Sequence, residues 1–436
     1  MRRKRKTRKA GGLIRTIRKP TAPPMRVEAE QLKDHRARER ARLGGTPTRL
    51  NVLDEISANL ENGTARNMTD FNLSDEQQML REAIAAFARD EVRTAARPAD
   101  ESGAIEESLV GRAWELGLIR ALIPERFGGD GTPRSAVTGA VIGEELAWGD
   151  LAIALHVLSP GLVAFPILEM GTEEQQARYL PRFTAEAFTA GSSALGEPTF
   201  DFDPGVLGTT AERVGAGFVL NGSKCFVPLA AAADTMVVYA SEQPKAGIDG
   251  VSAFLVDRRA AGLGVGEREK NMGLKALATH EVEFKACRIE NDARVGGERG
   301  IDFRRLMSEL RVGLAAMAVG VARAAFEYSR DYAKERRAFG VPIATKQAIA
   351  FMLADMVIEV DASRLLVWEA AWQLDRATNA WRESYLAKNY VAAAALRVAD
   401  NAVQVLGGHG YIREHPVELF LRNARGFAAL EGLATV

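Results

Sequence analysis

Three long segments, residues 303–337, 346–377 and 382–406, are rich in Ala and Leu and almost free of Gly and Pro inside. Nothing else in the chain narrows its fold as much. Uninterrupted runs of strong helix formers make helices of many turns, and small side chains let such helices lie close together. The last third therefore predicts an antiparallel helical bundle, with faces left over for burial against other subunits.

The punctuation upstream is different. Between about residues 190 and 300 it is that of a sheet: residues 235–240 and 251–256 read as buried strands, and 280–284 alternate. Residues 218–220, the dipeptide Asn221-Gly222 and residues 223–227 predict a hairpin, because Asn-Gly supplies two positive-φ positions. From Ser74 to about residue 185 the helical period returns. Ser74 with Gln77 three residues on is a capping-box pattern, followed by Met79, Leu80, Ile84 and Phe87 at helical spacing. Residues 107–116, 136–147 and 173–183 predict further helices. The order is helical, β, helical: an α+β fold, mainly α. We expect an N-terminal helical domain at 68–188, a middle β-domain (barrel or sheet) at 189–298 and a C-terminal four-helix bundle at 299–436.

Residues 1–67 are of another kind. They carry 18 Lys and Arg, seven of them in the first ten residues, against seven acidic side chains. Three readings stand: an organelle-targeting peptide, a basic arm for nucleic acid or a membrane surface, or a disordered extension ahead of a folded protein that begins near Met68. The chain as a whole has 57 basic and 57 acidic residues and is 47% hydrophobic, which excludes disordered and collagen-like classes. The longest wholly apolar run, residues 312–322, is too short to span a bilayer. Two cysteines, Cys225 and Cys287, suit a reducing compartment. The five histidines form no metal-binding spacing, so no metal is expected.

Phosphate-cradling motifs are missing: there is no GxGxxG after a strand, no GxxxxGK[ST] and no GxSxG elbow. What the chain has instead is an ordered set of segments. These are Phe71-Asn72-Leu73-Ser74-Asp75-Glu76-Gln77, the loop Pro124 to Gly129, Glu144-Glu145-Leu146, and Leu220-Asn221-Gly222-Ser223-Lys224. Further on come Glu335-Arg336-Arg337-Ala338-Phe339-Gly340 with Gln347, then Gln404-Val405-Leu406-Gly407-Gly408-His409-Gly410-Tyr411, and Arg422-Asn423-Ala424-Arg425. Over about residues 71–433 this set resembles the acyl-CoA dehydrogenase family of flavoenzymes. The family's three-domain fold agrees with the order read above.

The resemblance implies FAD as cofactor and α,β-dehydrogenation of an acyl-CoA thioester to the trans-2-enoyl-CoA. A carboxylate takes the α-proton, hydride leaves to flavin N5, and the electrons pass to an electron-transfer flavoprotein. Such a base works best in a dry pocket, where desolvation brings its pKa toward the operating pH. Counting from Arg422-Asn423-Ala424-Arg425, the family's base falls on Glu431, with Gly432 beside it as a substrate contact. Some relatives carry the base just before an arginine that here matches Arg311, itself a substrate contact. That position holds Leu310, and Glu309 lies about 100° further round the helix.

Cofactor contacts implied by the resemblance are Leu195, Glu197, Phe226, Val227 and Pro228 on the isoalloxazine side. Arg336, Phe339, Gln347, Gln404, Gly407 and Gly408 would reach the ADP half of a neighbouring subunit's FAD. Departures from the family pattern cluster on the flavin side: Gly196-Glu197-Pro198-Thr199-Phe200-Asp201-Phe202-Asp203 and Phe226-Val227-Pro228 lose hydroxyls and one N–H. Ala338 and Leu433 also replace hydroxyl residues. An alternative reading is therefore a non-catalytic or half-catalytic subunit of a heteromeric enzyme. Oxygen-dependent flavin chemistry on the same fold is a third, against which the retained Glu431 counts. The expected assembly is a homotetramer or homodimer, or a heterotetramer, with no nucleic acid and no membrane span. The expected location is the cytoplasm, or the mitochondrial matrix if residues 1–67 are a targeting segment.

Overall fold

The computed structural model describes residues 71–436. The basic extension expected at 1–67 lies outside the described residues. The first helix, α1 (Asp75–Phe87), starts on the predicted capping box: the Ser74 hydroxyl accepts from the Gln77 amide at 3.2 Å, and the Ser74 amide donates to Gln77 Oε1 at 3.0 Å. A π-turn over Ala88–Val92 joins it to α2 (Arg93–Ser102). Next come α3 (Glu107–Glu115), α4 (Ala136–Gly149), α5 (Leu151–Val157), α6 (Gly161–Met170) and α7 (Glu173–Tyr179). α5 and α6 have no predicted counterpart. They are apolar on nearly every side and buried, so no amphipathic period marks them. α7 stops four residues before its predicted end, at a 3₁₀ turn holding Pro181.

The middle region is one seven-stranded sheet of β1 (Ser192–Ala194), β2 (Thr210–Val214), β3 (Gly217–Pro228), β4 (Thr235–Ser241), β5 (Val251–Asp257), β6 (Leu263–Arg268) and β7 (Thr279–Glu290). The order runs β1-β4-β2-β3-β7-β6, with β5 on β4. The hairpin expected at Asn221-Gly222 is overturned: β3 passes straight through that dipeptide, and the turn that reverses the chain lies between β2 and β3, at Gly215-Ala216. Asn-Gly serves a bulge here. Register slips between Leu220 and Gly222 because β7 carries an extra residue there, and the Asn221 side chain accepts the Ala286 amide at 2.8 Å, where Ala286 has φ +47°. Gly222 has φ +142°, and a Cβ on it would come within 2.6 Å of Thr209.

The three predicted long helices are α8 (Phe303–Glu335), α9 (Gln347–Asp375) and α10 (Trp381–Leu406). A two-residue ribbon, β8 (Arg337–Ala338) and β9 (Val341–Pro342), links α8 to α9, and α11 (Gly408–Tyr411) and α12 (Val417–Ala424) follow α10. The two helical regions do not have separate interiors. Ile84, Leu146 and Ile153 share one apolar core with Met317, Val319, Val360, Val391 and Val398. α4 and α8 meet where Gly320 leaves room for the Glu144 carbonyl, which a Cβ would strike at 2.2 Å. Among the described residues, no single helix is long and apolar enough to cross a membrane.

Residues 432–436 are packed down: Leu433, Ala434 and Val436 are buried in the core, Val436 lies against Gly139 of α4, the Thr435 backbone lies against Gly313 of α8, and Arg134 bonds the Val436 carbonyl. Two glycines leave the room, and the backbone of Thr435 and Val436 takes it.

Candidate active site

A second bulge aims the sheet at a cleft. Between Lys224 and Val227 β3 carries the extra residue, Phe226 takes φ +53°, and its amide donates to Glu269 Oε1 at 3.0 Å. That twist turns Phe226 and Cys225 toward a cleft of about 360 Å³, lined also by Gly196, Thr199, Phe202, Ala428 and Glu431. Of the expected flavin-side residues, Phe226 and Glu197 border this cleft, whereas Leu195, Val227 and Pro228 are buried behind it. The Pro228 carbonyl accepts from Ser192 Oγ at 2.7 Å. The Thr199 hydroxyl from this loop and the Cys225 thiol from β3 are polar groups that line the same cleft.

Glu197 is committed elsewhere. Its carboxylate accepts from the wholly buried Lys224 ammonium at 2.8 Å, and from the Gly208 and Thr209 amides at 2.7 and 2.8 Å. Lys224 also donates to the Leu195 carbonyl at 3.1 Å. Burial pulls Lys224 down to about 8, against the pull of Glu197. Burial opposes the charge on Glu197 as well, but Lys224 and the amides hold it below the usual carboxylate value, so the pair is ionic at neutral pH. Glu197 is therefore the clamp that ties the 196–208 loop to β3.

Glu431 comes from the other side, on the segment after α12. Its Oε1 accepts from Lys388 Nζ of α10 at 2.5 Å, and Oε2 is buried without a partner. Arg311 of α8 is 4% exposed. Its guanidinium lies over the Trp381 and Tyr385 rings, 4.3 and 5.2 Å from their centroids, and its Nη1 has no partner. Burial lowers the Arg311 pKa, and Glu431 is the first charge to oppose that. Gly432 has φ +74° and sits so close to Leu195 that a Cβ would lie 2.9 Å from the leucine Cβ.

The other position for a base is filled as the sequence indicates. Leu310 is buried in an apolar cluster. Glu309 points into an ionic network, accepting from Arg134 at 2.9 Å and lying 3.1 Å from Arg305. Burial pushes its carboxyl up, against the pull of Arg134. It is not among the residues that line the Glu431 cleft. Sequence reasoning missed Lys388, Trp381 and Tyr385. Their spacing along α10 puts them on one helix face, but nothing local says what that face meets.

A second cleft, of about 440 Å³, opens at the end of the bundle and shares no lining residue with the first. It gathers Arg336, Phe339, Gly407 and Gly408 with Tyr332, Lys346 and His409. Phe339 is 93% exposed at φ +52°, and Lys346 Nζ stands 5.6 Å from its ring. Gln347 and Gln404 are exposed nearby in sequence but do not line this cleft.

The chain matches three family descriptions in order: "Acyl-CoA dehydrogenase, N-terminal domain" over residues 74–187, "middle domain" over 192–287 and "C-terminal domain" over 302–436. The chain belongs to the acyl-CoA dehydrogenase family. An acyl-CoA dehydrogenase of Bacillus subtilis (strain 168) is 36% identical over 366 residues, covering 83% of this chain and 95% of the relative. The caffeyl-CoA reductase-Etf complex subunit CarC of Acetobacterium woodii is 35% identical over 369 residues, covering 83% and 96%. The structure of butyryl-CoA dehydrogenase from Megasphaera elsdenii superposes with a TM-score of 0.75 at 30% identity, covering 83% and 95%. Acyl-CoA dehydrogenases are FAD-dependent oxidoreductases, and the architecture of this chain is theirs.

Proposed function

We propose that this protein dehydrogenates an acyl-CoA thioester between its α and β carbons, with Glu431 as the base that takes the α-proton. One observation carries the reading: a half-buried carboxylate whose Oε2 is buried and unpartnered borders the same cleft as the Phe226 bulge. The α-proton of a thioester is weakly acidic, so its removal needs a positioned base and stabilisation of the charge that develops. Glu431 supplies the base: the C–H bond breaks, the proton goes to the carboxylate, and the electron pair becomes the new C=C bond as hydride leaves the β-carbon. The clamp formed by Glu197 and Lys224 keeps the opposite wall in place.

The residues present fit FAD. An aromatic face at Phe226, a glycine without a side chain at Gly196 and the Thr199 hydroxyl suit a planar ring system. The exposed Arg336 guanidinium and the Gly407-Gly408 backbone suit a pyrophosphate. What FAD supplies when bound is the acceptor for that hydride.

Two clefts with no shared residue suit a cofactor held between copies of the chain. Phe351, Ile358 and Leu365 support self-association: spaced seven residues apart on α9, they are 60%, 63% and 49% exposed. An oligomer, a cytoplasmic setting in keeping with two free cysteines, and an electron-transfer flavoprotein as acceptor complete the proposal. The Etf-associated relative supports the last of these. The half-catalytic alternative is not favoured, because Glu431 stands in a formed cleft.

The test is the visible spectrum of the full-length protein with FAD, before and after anaerobic butyryl-CoA and longer acyl-CoAs. Bleaching by substrate is expected, and Glu431→Gln should slow it by about 10²- to 10⁴-fold. Full reduction at the wild-type rate in Glu431→Gln would remove the base from the proposal, and failure to take up FAD would remove the dehydrogenase.

A further inference from the structure

Lys388 lies three residues beyond Tyr385 and seven beyond Trp381, on the face of α10 that turns toward Glu431. Its side chain is 9% exposed, and that of Glu431 13%. Two cations thus flank one carboxylate, and they differ in how they are held. Arg311 is cradled by the rings of Trp381 and Tyr385, whereas Lys388 is bonded directly to Oε1 at 2.5 Å. A long buried lysine loses rotamer freedom and hydration, so a site that keeps one has a charge to hold.

We propose that Lys388 is a positioning residue for Glu431: it anchors Oε1 and leaves Oε2 as the atom that accepts the proton. This rests on the reading of Glu431 as the base. Lys388 neither gives nor takes a proton in the step. Its charge favours the carboxylate before transfer, and its bond prevents the side chain from swinging about its own torsions. The other titratable and charged groups here are Arg311 on α8, Glu197 and Cys225 on the cleft wall, and Tyr385 and Asp203 close to Arg311. Glu197 is already paired with Lys224. Burial, then Glu269 and Glu281, push the Cys225 thiol up to about 11, so it stays neutral at working pH. Lys388 is the group bonded to Glu431 itself.

The experiment compares FAD-loaded wild type, Lys388→Met and Lys388→Arg. Two readouts are used: the pH dependence of kcat/KM with butyryl-CoA, and the carboxyl infrared band that disappears in Glu431→Gln, titrated without substrate. Losing an adjacent cation favours the protonated acid, so in Lys388→Met both the acidic limb and the band should move up by about one to three pH units. Lys388→Arg should restore most of the shift. A purely structural lysine would lower the melting temperature and leave both unmoved, which would overturn the proposal. Should Lys388→Met not fold, Lys388→Gln carries the same comparison. Failure of the base itself reads differently: Glu431→Gln would then keep its activity, whatever Lys388 does.

Discussion

Removing the Lys224 ammonium with Lys224→Met leaves Glu197 buried with two amide donors and no counter-charge. Breaking one side of a buried pair costs about 3–5 kcal/mol, and here the upper half of that range is expected because Glu197 is 6% exposed. The opposite change, Glu197→Gln, should cost less. Lys224 is already pulled from 10.5 to about 8, a penalty of about 3 kcal/mol at neutral pH. Shedding its proton at pH 7 would raise that to no more than about 5 kcal/mol, so only about 1–2 kcal/mol is added.

The double change Lys224→Met/Glu197→Gln should recover most of the loss, since the cost of burying both charges disappears along with their attraction. A pH signature accompanies this. Between about pH 8 and 10.5 the unfolded chain keeps a proton on Lys224 that the folded chain has lost, so this group makes stability rise with pH there. In Lys224→Met that rise is gone. Urea unfolding followed by tryptophan fluorescence, at pH 7 and pH 9.5, measures all four proteins. A Lys224→Met protein within 1 kcal/mol of wild type, or a double variant no more stable than Lys224→Met, would refute the reasoning.

Gly432→Ala should cost about 1–3 kcal/mol and lower kcat, because the new Cβ meets Leu195 at 2.9 Å on a left-handed backbone next to Glu431. Wild-type melting temperature and kcat together would contradict this. Glu309→Gln should keep kcat within a few-fold of wild type in the butyryl-CoA assay, since its carboxylate belongs to the Arg134 and Arg305 network. A loss approaching that of Glu431→Gln would reassign the base. Burial opposes the charge on Asp100, but Arg422, bonded to both its oxygens at 2.7 and 2.8 Å, holds its pKa below the usual value. Its contribution is therefore complete above about pH 4 and is lost as pH falls further. Asp100→Asn should destabilise at pH 7 and flatten the acid limb of stability, and a parallel acid limb in both proteins would count against it.

Much of this was present along the chain. Residues with strong helix propensity over dozens of positions leave few alternatives to long packed helices, so α8, α9 and α10 are readable to within two residues at each end. Ser74 and Gln77 announce α1 because a capping box is satisfied within one turn. The ordered motifs carried the family and pointed to Glu431.

The remainder depended on partners distant in sequence. Asn221-Gly222 has the chemistry of a turn, yet it lies inside β3, because pairing with β2 and β7 on either side outweighs a local preference. α5 and α6 are uniformly apolar, and burial on all sides erases the period by which a helix is read. Glu197 sits in a flavin-side motif, but its charge is spent on Lys224, 27 residues away. Lys388 looks like an ordinary surface lysine until α10 is laid against the segment after α12. A sequence records what each residue can offer locally, namely its propensity, polarity and charge. Which charge meets which, and which stays in water, is set by the packing of elements far apart in the chain, and in this protein that packing made Glu197 a clamp and put Lys388 on Glu431.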